Sequence, residues 1–236
     1  MCAFGVPARD AVGDIALVGD SHAWHWRAGV AFVARALHWH GLDSTRTTCS
    51  FSWCIPRAPE PQRAACAKWN RAFVRWLRQR PEITTVFTSN HPESVRAAPH
   101  QDGFSAQVAG IKAAWAALPP TVKHIIVIRD IPYMPANVLQ CVEDAIRRRL
   151  NAGLSCAQPR ARALLRDPDV AAAELVHSRR VEVFDPTRFF CDSHLCYPVV
   201  GGALVYRNAD HLTETFAASV GPYLLHALIR LMTSWR

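Results

Sequence analysis

The chain has 236 residues, half of them hydrophobic and 19% charged, which excludes a largely disordered polymer and leaves room for one α/β domain with a sizeable core. Lys and Arg number 27 against 19 Asp and Glu, a net charge of +8, yet the densest stretch, 141–180, holds eight Arg against five acidic residues and no aromatics, and so reads as a solvated helix face, not a nucleic-acid stripe. The longest apolar stretch near the end, 217–232, is interrupted by Gly221, Pro222, His226 and Arg230 and falls short of the ~20 apolar residues a membrane span needs; it reads as a final packing helix.

Taken in chain order, Ile15-Ala16-Leu17-Val18 is a short, continuously apolar strand that runs into Gly19-Asp20-Ser21-His22. Beyond it, Trp26, Val30, Val33 and Leu37 repeat at helical spacing, so Ser21 is expected at a strand-to-helix turn. Residues 41–52 hold a weak strand and a cysteine-bearing loop before a proline-rich stretch, 56–61, and 67–80 reads as a helix with Trp69, Phe73 and Trp76 on one side. The β-branched and aromatic run 83–88 ends in Ser89-Asn90-His91-Pro92. Residues 103–118 read as a helix stopped by Pro119-Pro120, and 124–128 as a strand broken at Asp130-Ile131-Pro132. Arginine-rich helical stretches, 136–150 and 160–177, lead to the last core strand, 181–184.

Strands alternating with helices predict a mainly parallel sheet of about five strands covered on both faces, because parallel neighbours need crossover connections. Polar ligands then meet the carboxyl ends of the strands. Ser21, Ser52/Cys54, Asn90 and Asp130 all fall just past such ends.

The eight cysteines (2, 49, 54, 66, 141, 156, 191 and 196) are many for a reduced enzyme and are read as disulfides of an oxidising compartment. Proximity pairs Cys54 with Cys66, Cys141 with Cys156 and Cys191 with Cys196, leaving Cys2 with Cys49. Zinc at Cys191, His194 and Cys196 is the competing reading; the spacing matches no common finger and lacks a fourth ligand, so no metal is expected. Met1 stands almost directly before the first strand with no signal-peptide pattern, so export implies a longer membrane protein or a removed leader; a cytoplasmic chain with reduced cysteines is the alternative.

A serine at a strand-to-helix turn presents its hydroxyl beside free backbone N–H groups that suit a developing oxyanion. Near the other end stands Asn208-Ala209-Asp210-His211-Leu212-Thr213, whose histidine supplies a general base. The bland readings are an N-capping Ser21, packing or cleft-lining roles for His22 and His25, a turn at Asn90, and turns or caps at Asp130 and Asp192.

Together Gly19-Asp20-Ser21-His22, Asn90, the Cys191-Asp192 and Cys196 segment and Tyr206 through Thr213 make the chain resemble the SGNH (GDSL-like) hydrolase superfamily, most closely the SGNH domain fused to bacterial acyltransferase-3-type membrane proteins. The resemblance spans about residues 14–220 of a single 1–236 domain. It implies a flavodoxin-like three-layer α/β/α sandwich and a Ser-His-Asp triad with Ser21 and His211 in two of the places. The oxyanion hole it implies uses the Ser21 N–H and Asn90, although Thr88 and His91 depart from the family's block and 49–52 offers no glycine. Asn208 stands where the aspartate belongs; Asp210, Asp130 and Asp192 are the candidate replacements.

These readings give a serine esterase or O-acyltransferase that moves a small acyl group, acetyl by expectation, on carbohydrate of the bacterial envelope through an acyl-serine. No cofactor is expected. The expected partners are an acylated carbohydrate or acyl donor and a membrane acyltransferase domain or protein. The alternatives are a catalytically impaired glycan-binding or interaction module, and a lipid or thioester hydrolase of the same superfamily.

Overall fold

The computed structural model describes residues 1–56, 58–92, 95–96 and 102–234; Arg57 of the proline-rich stretch lies outside them. Its centre is a six-stranded sheet. In chain order the strands are β1 (Cys2–Gly5), β2 (Gly13–Gly19), β3 (Trp39–Thr45), β4 (Ile83–Ser89), β5 (His124–Ile128) and β6 (Val181–Phe184). They lie side by side as β1-β3-β2-β4-β5-β6. The five strands expected from the sequence are all parallel, and β1 adds a sixth, antiparallel, on the free edge of β3. A four-residue strand on an edge carries too little pattern to announce itself in the sequence.

The strand β2 shows why apolar runs give this architecture. Side chains alternate between faces of a sheet. Ile15 and Leu17 join one core with Trp26, Val30 and Val33 of the helices that follow, and with Phe216, Val220, Leu224 and Leu228 of the last helix. Ala16 and Val18 join the other, with Phe73, Leu77, Ile111, Trp115 and Ala172. Helices therefore cover both faces, α1 (Ser21–His25), α2 (Arg27–Ala36) and the last helix on one, α3 (Gln62–Arg78) and α4 (Gly103–Ala116) on the other.

Beyond β5 come α5 (Val138–Arg147), the short α6 (Ala152–Ser155) and α7 (Arg160–Ala163), α8 (Pro168–Val176) and α9 (Glu214–Ser234). The single helix expected over 160–177 is thus two pieces. Asp167-Pro168 divides them: proline opens α8, and the Asp167 carboxylate accepts from the N–H groups of Asp169 and Val170 as its cap. Among the described residues no helix is long and apolar enough to cross a membrane.

Three disulfides are present: Cys49–Cys66, Cys141–Cys156 and Cys191–Cys196. Two of the expected pairs hold, and two are corrected. Cys66 is bridged to Cys49, not to Cys54, because the 46–49 turn lays Cys49 against α3, where Cys66 is buried. Cys2 sits exposed on the β1 edge opposite Asp43, which removes the expected Cys2–Cys49 bridge.

Strand order reverses at β2: the chain steps outward to β3, then returns across β2 to β4. In doubly wound sheets the crevice at such a switch point, outside the carboxyl ends, is where ligands bind. Ser21 lies there.

Candidate active site

The site begins with the sharp exit from β2. Gly19 has φ +146°, and a Cβ there would stand 2.2 Å from the Ser89 carbonyl oxygen, so only glycine lets β2 and β4 close beside the turn. Asp20 follows as N-cap of α1, and its carboxylate does more than cap. It accepts from the N–H of His22 at 2.8 Å, from the N–H of His91 at 2.9 Å and from the Ser50 hydroxyl at 3.1 Å. One buried side chain thereby ties the loops after β2, β3 and β4 together.

The cavity beside this turn measures about 410 Å³ and is lined by Ser21, His22, Thr47, Thr48, His91, Arg207, Asp210 and His211 among others. Ser21 and His211, 190 positions apart, share it. A bridge between Tyr206 and Leu212 closes the His211 loop, and the Met134 N–H to the Ala209 carbonyl docks it beside the segment after β5.

Of the four candidates for the third position, Asn208 and Asp210 reach the same nitrogen. His211 Nδ1 lies 2.8 Å from Asp210 Oδ1 and 3.1 Å from Asn208 Oδ1. Asn208 Oδ1 also accepts the backbone N–H groups of Asp210 and His211, the pattern of an Asx turn. That turn brings Asp210 round to the ring although it directly precedes it. Each oxygen favours the tautomer with the proton on Nδ1, leaving Nε2 for the cavity. Burial and the neighbouring His22 push the His211 pKa down, against Asp210, which pulls it up.

Asn90 arrives at the carboxyl end of β4 as expected, and both ends of its amide are engaged. Its NH2 donates to both oxygens of Asp169 at 3.0 Å, and its carbonyl accepts the Phe51 N–H at 2.8 Å. Behind it, burial and the neighbouring Asp167 raise the Asp169 pKa well above the ordinary range, and burial with Asp130 raises that of Asp167 to about 6.

Asp130 and Asp192 have other duties. Asp192 accepts from the N–H groups of His194 and Leu195 in the turn closed by Cys191–Cys196. Asp130 pairs with His22, Nδ1 to Oδ1 at 2.6 Å, and both are almost fully buried. Ser52 and Cys54 line a separate cavity; Ser50 is the residue of that loop that reaches Asp20. Gly110 makes room for the loop, since a Cβ there would lie 2.4 Å from the Cys54 nitrogen.

The sequence alone does not single out the His22–Asp130 and Asn90–Asp169 pairs. They join residues 108 and 79 positions apart, and only a strand-end argument carried to every loop would have brought them together. His91 is likewise drawn in, its Nε2 3.8 Å from Asp210 Oδ2. The ligand-type atoms of His22, Asp210 and His211 lie within 4.8 Å of one another, but the Nδ1 of each imidazole faces a carboxylate, the arrangement of two acid–base pairs.

Fold and cavity together define a class: a doubly wound α/β domain whose first strand-to-helix turn carries a serine into a cavity that a histidine of the last loop also lines. Within that class the chain matches the family described as "SGNH domain (fused to AT3 domains)" over residues 1–226, and it belongs to that family. Among solved structures it is similar to the periplasmic domain of the lipopolysaccharide acetyltransferase of Salmonella ser. Paratyphi A. That likeness has a TM-score of 0.71 at 12% identity, and covers 96% of this chain and 90% of the other. No curated protein matches by sequence.

Proposed function

We propose that this is a serine esterase or O-acyltransferase that moves a small acyl group, acetyl in the first instance, on carbohydrate of the bacterial envelope. One observation supports it above the others: Ser21 and His211, from opposite ends of the chain, line one cavity, with carboxylate and amide oxygens on the far nitrogen of the histidine. The solved relative acts on lipopolysaccharide as an acetyltransferase, and the family is described as fused to AT3 domains, which favours an envelope substrate and a membrane acyltransferase as partner. Three disulfides favour an extracytoplasmic location.

In the proposed cycle, His211 Nε2 takes the Ser21 hydroxyl proton as the oxygen attacks the acyl carbonyl. Asp210 accepts the Nδ1–H and stabilises the imidazolium, and Asn208 holds the turn that delivers it. The tetrahedral oxyanion is read as held by backbone N–H groups, that of Ser21 at the start of α1 first, with Asn90 fixing the Phe51 loop. His211 returns the proton to the leaving oxygen, and an acyl-serine remains. A sugar hydroxyl or water then gives its proton to His211 and attacks the acyl carbon; the acyl–Ser21 bond breaks and His211 hands that proton to the Ser21 oxygen.

A serine-directed fluorophosphonate tests this. It should label the wild-type chain at Ser21 and leave Ser21→Ala unlabelled. A folded wild type that takes no label and turns over no short acyl ester would instead support the impaired glycan-binding module, a reading favoured by the committed Asn90 amide.

A further inference from the structure

Behind His211 lies a second histidine–carboxylate pair that the cycle above does not use. Asp130 accepts three hydrogen bonds: from the Ile131 N–H at 2.8 Å, the Tyr133 hydroxyl at 2.8 Å and His22 Nδ1 at 2.6 Å. That is the pattern of an ionised carboxylate, and a buried one needs a counter-charge. His22 is the side chain against it. The His22 ring is packed centroid to centroid at 4.8 Å from His211, 4.7 Å from His91 and 5.0 Å from His25.

With three imidazoles packed on the ring of His22, the cluster disfavours more than one positive charge. We propose that the His22–Asp130 pair is a positioning unit for His211: it keeps a proton of its own beside that ring and thereby holds His211 in the neutral, base-competent form to lower pH.

The groups facing this cluster are consistent with that division. Asp20 and His25 face His22 from its own turn, Asp130 and Tyr133 from the segment after β5, His91 from the end of β4, and Asp210 and His211 from the last loop, which also carries Arg207; Asp167 stands behind Asp130 on its backbone N–H. Burial opposes a charge on His22, but Asp130, with Asp20 and Asp210, outweighs it and raises its pKa. His25, sealed among the same rings, is pushed well down by burial, His22 and His211. A cation behind His211 has a second effect. It disfavours the imidazolium formed when Ser21 is deprotonated, and so drives that proton onward to the leaving oxygen.

The proton division stands by itself, whereas its catalytic consequence rests on the Ser21–His211 reading, so two readouts are needed. The first is ¹⁵N NMR titration of the histidine rings in the wild-type chain. His22 should be doubly protonated at a pH where His211 is already neutral; a neutral His22 at pH 6 overturns the proposal. In His22→Gln the His211 pKa should rise by at least ~0.5 unit, the Coulomb effect of one charge at about 5 Å even in a water-like medium, and in Asp130→Asn it should rise by less, because a carboxylate is lost together with the proton. The second is the acid limb of kcat/KM for a short acyl ester, which should move up by the same amount. A purely structural role for His22 would lower kcat at every pH without moving the limb, and an unchanged or lower His211 pKa in either folded variant would overturn the proposal. Should His22→Gln not fold, the wild-type titration and Asp130→Asn still decide. If the wild type turns over no ester, the esterase reading fails and the ring titration still judges the pair.

Discussion

Two histidine–aspartate pairs stand side by side in this molecule, and their surroundings differ. His211 and Asp210 have side chains 16% and 29% exposed, at the wall of the cavity. His22 and Asp130 are 1% and 4% exposed, and the His22 Nε2 makes no hydrogen bond among the described residues. The first pair is open to something that enters; the second touches the same cavity only through the His22 ring, with almost no exposed surface. Chemistry of one kind, a carboxylate against an imidazole nitrogen, thus serves exchange or storage according to access to solvent.

The contrast is sharpest in its largest effect. Ser21→Ala should reduce turnover of p-nitrophenyl acetate by at least about 10⁴-fold while the melting temperature stays close to wild type, since removing a nucleophile costs several orders of magnitude. Retention of a tenth of the activity would place the exchange site elsewhere. Next, Asp210→Asn should cost roughly 10³–10⁴-fold, the scale of losing the carboxylate in a serine triad, and Asn208→Ala less than about tenfold. Equal losses in steady-state kinetics would break the assignment of Asp210 as the working partner.

Stability should show the reverse ranking. Asp130→Asn takes one member from a buried pair, at a cost of about 3–5 kcal/mol, whereas Asp210→Asn in the exposed pair should cost about 1 kcal/mol or less. Urea denaturation of the two variants measures both, and equal losses would erase the distinction between storage and exchange. The most gradual effect belongs to Asp167, behind the buried pair. Its folded pKa of about 6 lies above the ordinary carboxylate value, so its stabilising contribution is complete below about pH 4 and is lost as pH rises through 6. The slope from this one proton is at most about 1.4 kcal/mol per pH unit. Asp167→Asn, which keeps a capping oxygen, should flatten denaturation midpoints between pH 4 and 6 relative to wild type.

The two pairs were also unequally legible in the sequence. His211 and Ser21 sit in short local motifs, and the parallel strands announce themselves as apolar runs because both their faces are buried. His22 stands in the same motif as Ser21, yet nothing local says that its partner is Asp130, which is placed by sheet order and by the break after β5. The same limit explains the cysteines. Cys54 is nearer to Cys66 in sequence, but the fold of the 46–49 turn decides, and Cys49 is bridged across a separation of 17. Proximity along the chain succeeds where a bridge closes a local turn, as at Cys191–Cys196, and fails where a loop doubles back.

Asp20, whose carboxylate gathers three loops, has a consequence for how the molecule breathes. The amides of His22 and His91 share one acceptor side chain, and Ser50 is held by it as well. Those loops are therefore wired to open as one cooperative unit and not singly. In native-state hydrogen exchange the His22 and His91 amides should exchange with a common opening free energy, and Asp20→Ala should unlock both together while the amides of central β2 keep their protection.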